Sequence, residues 1–219
     1  AIDRETIIKY LFGGAARLAN ALLPPDHWAG HPQLPQYQYD PEKAKSILRQ
    51  AGFSESNPAR IVYKTSTDPF RVRVATVIQQ QLKQVGIQVQ VRSYDWGTFY
   101  GDIKAGNFQM YSLSWIGVKT PDIFKYVFHS EAVPPHGANR GRFASSKIDE
   151  LLDLAQSAPN RIQQAVFYRQ IQQLLQQQLP YVPLWYENHT YAARSNIQGY
   201  RLNLYGNYDG LVHVVKTTG

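Results

Sequence analysis

Residues 60–115 limit the possible folds more than any other stretch. "RIVYK" (60–64) is short, apolar and β-branched. "VRVATVIQQQLKQV" (72–85) carries Val74, Val77, Ile78, Leu82 and Val85 at helical spacing. Gly86 breaks that helix, and "IQVQVRSY" (87–94) alternates as a strand. Asp95 is placed to cap a short helix with Phe99 and Ile103 inward, ended by Gly106. "FQMYSLSW" (108–115) reads as a third strand, with Trp115 at its end. A helical crossover makes the first two strands parallel and the connection right-handed. The order strand, helix, strand, helix, strand defines an α/β core.

The flanks add helices. Asp3 caps a helix from Arg4 to Phe12, and Gly13-Gly14 stops it. Asp40 and Pro41 open a second, closed by Gly52. The proline- and aromatic-rich stretch 22–41 between them reads as an ordered loop. Ser146 begins "KIDELLDLAQS", with Ile148, Leu151, Leu152 and Ala155 on one stripe. Helix 161–179 is expected to turn Ile162, Val166, Phe167, Ile171, Leu174 and Leu175 inward, its glutamines largely outward. "YVPLWYE" and "TYAARS" read as strands around Asn188-His189, and the tail from Tyr200 looks strand-like.

Composition narrows the chemistry. Apolar residues make up 43% and charged residues 18%, the balance of a globular protein. No apolar run reaches the 18 or more residues of a spanning helix. Cysteine is absent, which excludes disulfides, thiolate metal sites and cysteine nucleophiles. The net charge of +7 suits an anionic partner, but the basic residues are scattered and serve solubility equally well. The chain opens at Ala1 inside a helix-forming stretch, which reads as a removed leader or a piece of a longer protein.

No catalytic signature emerges. The six histidines are dispersed and form no H-E-x-x-H pair; His27 and His31 fall in a loop. There is no G-x-S-x-G elbow and no phosphate-binding G-x-x-x-x-G-K-[ST] loop. "FGGAAR" is a helix end, and Asp149, Glu150 and Asp153 share an amphipathic helix where exposure explains them. No catalytic residue, metal ligand or cofactor site is assigned.

The aromatics carry more information. Tyr94, Trp96, Tyr111, Trp115 and Tyr126 surround predicted strand ends, and open α/β sheets hold ligands beyond the carboxyl ends of their strands. Each ring is equally able to be core; Trp115, followed at once by Ile116-Gly117, reads as a cleft wall. "PPHGANRGRF" (134–143) is the second notable stretch. It is a plain surface loop, or one whose Arg140 offers a planar fork to a carboxylate.

Taken in order, "AIDRETIIKYLFGGAARLANALLPPDHW", "YDPEKAKSILRQAGF", "LKQVGIQVQVRSYDWGTFYGDIKAGNFQMYSLSWIG", "PDIFKYVFHS", "PPHGANRGRF" and "LPYVPLWYENH" resemble a known family. The resemblance is to the C-terminal lobe of family 5 extracellular solute-binding proteins, the peptide/nickel/oligopeptide-type receptors of ABC importers. It implies a type II periplasmic-binding-protein-like α/β lobe with a mixed sheet flanked by helices. Residues 1–198 would form the second lobe, and 199–219 would return to an N-terminal first lobe that is absent here. It also implies a non-enzymatic receptor for a peptide or peptide-like solute. Its partners would be the permease subunits, with no nucleic acid bound by this chain. Its place would be the periplasm or the outer face of the cytoplasmic membrane, with or without a lipid anchor. The same fold also serves as the sensing domain of transcriptional regulators, the alternative reading. Peptide-binding members carry an Asp in the turn after the tryptophan, and often another before the proline. Here those neighbourhoods read Val118 and Thr120, and Asp122 reads as a helix cap. The expected ligand-lining residues are Trp115, Gly117, Val118, Thr120, Asn139 and Arg140, with Arg71 a further anion contact.

Overall fold

Acidic or amide caps start most of the helices in the computed structural model, which describes residues 1–203 and 205–217. In chain order the first half runs α1 (Arg4–Leu11), β1 (Ala16–Leu18), α2 (Pro41–Gln50), β2 (Ala59–Ser66), α3 (Pro69–Gln84), β3 (Ile87–Tyr94), α4 (Trp96–Ala105) and β4 (Met110–Tyr111). The second half runs α5 (Ile123–Phe128), α6 (Ser146–Ser157), α7 (Arg161–Gln178), β5 (Trp185–Glu187), β6 (Ile197–Gln198), a 3-10 helix (Asp209–His213) and β7 (Val215–Lys216). Asp3, Asp40, Asp68, Asp95 and Asn160 each accept a hydrogen bond from the amide three residues on. Such a cap contributes about 1 kcal/mol, because it satisfies an amide with no helical partner.

The central sheet has the order β3-β2-β4, with both pairs parallel. β2 and β3 pair from Ala59↔Ile87 to Ser66↔Tyr94. One core lies beneath them. Tyr63 and Val89 of the sheet bury with Val74, Ile78 and Leu82 of α3 and Ile7 of α1. A second core joins Phe124 and Phe128 of α5, Ile148, Leu151 and Leu152 of α6, and Tyr168 and Ile171 of α7. Leu23 and Ala29 of the 22–41 loop are part of it, so that loop is ordered.

Several expectations are corrected. The third strand is two residues rather than eight. Gln109 accepts from the Val62 amide through its side chain (2.6 Å), so one rung of the ladder is taken by an amide group. Past Tyr111 the chain leaves the ladder. Ser112 instead receives the Tyr63 hydroxyl at 2.6 Å. The stripe of α7 is Ala165, Tyr168, Ile171, Gln172 and Leu175, while Ile162 and Val166 stand 81% and 48% exposed. Ile162 is in the first turn, off that stripe. Gln172 goes inward instead, donating to the carbonyls of Ala29 and Tyr168 at 2.9 Å each. Of "YVPLWYE" only Trp185–Glu187 is a strand, antiparallel to β1, and "TYAARS" forms none. Among the described residues of the tail there is one two-residue strand, β7, antiparallel to β6; residues 204, 218 and 219 of the expected strand-like tail lie outside the described residues.

The two isoleucines give a direct test. Ile103 is fully buried in α4, and Ile103→Ala is expected to cost about 2–5 kcal/mol in urea denaturation of the chain. Ile162→Ala is expected to stay within about 0.5 kcal/mol. Equal effects would contradict the orientation of α7 described above.

Candidate functional site

Parallel strands place their following loops and the N-termini of the next helices at one edge. Here that edge holds a cavity of about 130 Å³. Thr65 and Ser66 come from the end of β2, Arg71 from the first turn of α3, and Trp96 and Phe99 from the start of α4. Ser112, Leu113, Ser114 and Ile116 close it from the segment after β4. The lining therefore has four hydroxyls, one guanidinium and two aromatic rings, and no carboxylate. Arg71 donates to the Ser114 hydroxyl at 3.3 Å, and its nearest acid is Glu187 of β5 at 4.0 Å.

Beside the cavity runs a stack of flat groups. Trp96 and Tyr100, one turn apart on α4, lie 5.4 Å apart and nearly parallel at 7°. The Arg140 guanidinium sits 5.2 Å from the Tyr100 ring and 5.2 Å from the Trp115 ring. Trp115 in turn meets Tyr126 edge-on at 6.4 Å. Arg140 also donates to the Tyr100 hydroxyl at 3.2 Å.

The 134–143 loop that delivers Arg140 is fastened from within. Asn139 is buried, and its amide nitrogen donates to the carbonyls of His129 (3.1 Å) and Phe143 (2.7 Å). Its oxygen accepts from the Phe143 amide at 2.9 Å. Gly137 approaches Ala132 so closely that an added Cβ would lie 2.4 Å from that carbonyl oxygen. Ser130 donates through both backbone and hydroxyl to Asp149, so that helix carboxylate is a tie rather than a solvated charge.

A third cluster joins the 116–120 turn to the tail. Gly117, at φ +74°, donates its amide to the Tyr205 carbonyl at 3.2 Å. Lys119 pairs with Asp209 at 2.6 Å. His27 lies under this junction, 6.5 Å from the Tyr205 ring, with Nδ1 accepting from the Ala29 amide. Burial holds its pKa below the ordinary value, against the opposing pull of the Lys119 backbone and Asp26.

The expected site residues thus separate. Arg71 walls the cavity. Trp115 is half-buried and turns away from it, so Ser114 and Ile116 form the wall expected of Trp115. Arg140 is stacked behind the cavity wall through Tyr100 and Trp96. Asn139 faces its own loop, with its polar atoms spent on the backbone. Val118 packs on the second core, Gly117 binds the tail, and Thr120 donates to Asp122 at 2.9 Å. Asp122 therefore makes no capping bond to α5. Ser66, Ser112, Ser114 and Tyr100 went unrecognised in the sequence; the i, i+4 spacing of Trp96 and Tyr100 was the available signal.

A parallel α/β sheet with a hydroxyl- and aromatic-lined cavity at its carboxyl edge has the architecture in which α/β proteins of the binding class hold ligands. The chain belongs to the bacterial extracellular solute-binding proteins, family 5, whose model matches residues 1–132. It is 31% identical over 204 residues to the di/tripeptide-binding protein 2 of Pseudomonas aeruginosa, covering 92% of this chain and 38% of that protein. Among solved structures it is similar to the oligopeptide-binding protein AppA of Bacillus subtilis in complex with a nonapeptide, with a TM-score of 0.88 and 25% identity. That match covers 99% of this chain and 46% of AppA. DppA of Helicobacter pylori in complex with the peptide STSA gives a TM-score of 0.83 at 26% identity, over 98% of this chain and 42% of that one. The fold is thus that of type II periplasmic binding proteins, and the chain spans 38–46% of the length of these relatives.

Two outcomes follow from the loop and the buried histidine. Asn139→Ala strands three backbone groups and is expected to lower stability by about 3 kcal/mol in urea denaturation. A loss under about 1 kcal/mol would contradict its fastening role. In the folded chain His27 binds its proton less readily than in the unfolded chain, whose value is near 6.5. Stability is therefore complete above that pH and falls as the pH drops below it. Thermal melts of the chain from pH 7.5 to 5 should show this slope, and His27→Gln should flatten it.

Proposed function

We propose that the chain is the second lobe of a two-lobed, non-enzymatic receptor that closes on a peptide or peptide-like solute and passes it to an ABC importer permease. The observation that carries this reading is the cavity at the carboxyl edge of β2 and β4. Its hydroxyls and Arg71 suit a polar backbone, and Trp96 suits an apolar side chain. Relatives named for di- and tripeptides support the solute class. In this reading residues 1–198 form the lobe, and 199–219 continue toward the first lobe, which supplies the opposite wall. The receptor works outside the cytoplasm, in the periplasm or on the outer face of the cytoplasmic membrane. Hinge closure traps the solute and excludes water.

The test is calorimetry on the full-length protein with separate pools of di- and tripeptides, sugars and nickel chelates. Peptide pools are expected to give saturable heat, and the bound peptide should be recovered intact by mass spectrometry. Trp96→Ala should weaken that binding at least tenfold, about 1.4 kcal/mol. Heat only with another pool, or a cleaved peptide, would overturn the proposal.

A further inference from the structure

The cavity at the sheet edge is graded in depth. Thr65 and Phe99, each 1% exposed, lie at its floor with the buried Ser66. Ser112 and Arg71 are half-buried above them, and Ser114, Trp96 and Ile116 are exposed at the rim. At about 130 Å³ the space is well below the roughly 300 Å³ at which pockets for whole small molecules begin. It therefore admits one side group of a solute. The main chain of a peptide stays at the rim, because a chain cannot turn back within a blind cavity of this size.

The four hydroxyls are not equivalent. Those of Thr65 and Ser66 enter no hydrogen bond among the described residues, although the two residues are only 1% and 9% exposed. Ser112 has a fixed partner: Tyr63, itself 1% exposed, donates its hydroxyl to the Ser112 oxygen at 2.6 Å. A phenol is the better proton donor of the two, so Ser112 keeps its own O–H for a further acceptor. Ser114 likewise accepts from Arg71 at 3.3 Å and keeps its O–H. Buried hydroxyls without partners are costly, and a polar guest removes that cost. A cation is repelled by Arg71, and an anion finds that charge already opposed by Glu187 at 4.0 Å. The matching guest is uncharged, a hydroxyl or carboxamide whose oxygen accepts from Ser112 and whose O–H or N–H donates to Thr65 or Ser66.

We propose that this cavity selects solutes by one small uncharged polar side group, of the kind carried by serine, threonine or asparagine, and that Tyr63 sets the preference without touching the solute. Ser112 is the specificity residue, and its O–H meets the oxygen of the side group. Tyr63 is a positioning residue: its hydroxyl holds the Ser112 oxygen from the core side, so that the Ser112 proton is offered to the cavity. An apolar side group of the same shape leaves the hydroxyls of Thr65, Ser66 and Ser112 unpaired. The inference rests on the receptor reading above and adds the side group that the solute presents.

The experiment uses the full-length protein as wild type, Tyr63→Phe, Ser112→Ala and the double variant. Trialanine is altered at one position at a time to threonine or to its near-isostere valine, and affinities are read by calorimetry. At one position wild type is expected to bind the threonine peptide about tenfold or more tightly than the valine peptide, because valine leaves buried hydroxyls unpaired. Ser112→Ala should reduce that ratio to about threefold or less, and Tyr63→Phe should reduce it as well. The double variant should show the ratio of Ser112→Ala, since Tyr63 acts through Ser112. Thermal melts of the unliganded variants check folding. If Ser112→Ala does not fold, the ratio in wild type decides. Equal threonine and valine affinities at every position in wild type, an undiminished ratio in Ser112→Ala, or heat with the peptide pools above but with no trialanine peptide, overturns the side-group proposal and leaves the receptor reading standing. An undiminished ratio in Tyr63→Phe, a further loss in the double variant, or failure of Tyr63→Phe to fold overturns the positioning role of Tyr63. No heat with these peptides or with the peptide pools overturns both the proposal and the reading.

Discussion

The structure depends on β2 being paired in parallel on both sides. A parallel neighbour cannot be reached by a tight turn, so the chain must cross the sheet through α3 and then α4. Each crossover starts where a strand ends. The starts of both helices and the 112–116 segment are therefore gathered at one edge. The cavity is a by-product of that connectivity, and Tyr63, reaching from the core to Ser112, ties its floor to its rim.

The second core supports this edge from behind. α5, α6 and α7 bury Phe124, Ile148 and Ile171 together, and the 134–143 loop leaves that body to place Arg140 against α4. The loop holds its shape because Asn139 binds its own backbone and Gly137 lies against Ala132. Rigid packing at one end thus sets the position of a charged group at the other.

The fold was largely legible in the sequence, because it is written in local signals. Asp3, Asp40 and Asp95 stand where caps are needed, and the 74–85 periodicity needs no tertiary knowledge. The errors came where tertiary contacts override local pattern. "SLSW" alternates like a strand, yet its hydroxyls serve a cavity rather than a ladder. Ile162 is as apolar as any core residue, but the helix phase leaves it in solvent. At the cavity, Arg71 could be named from residue type and its place after a strand, whereas Arg140 stands behind the wall. The inward role of Asn139 could not be named, because a buried amide and an exposed one look the same in a string of letters.

The bond between Gly117 and Tyr205 links segments far apart in sequence, and Lys119 with Asp209 reinforces it. On the rim, Ile116 is next to Gly117 and Ser114 lies three residues before it. The end of the chain is thus anchored beside the mouth of the cavity by one backbone hydrogen bond and one ion pair.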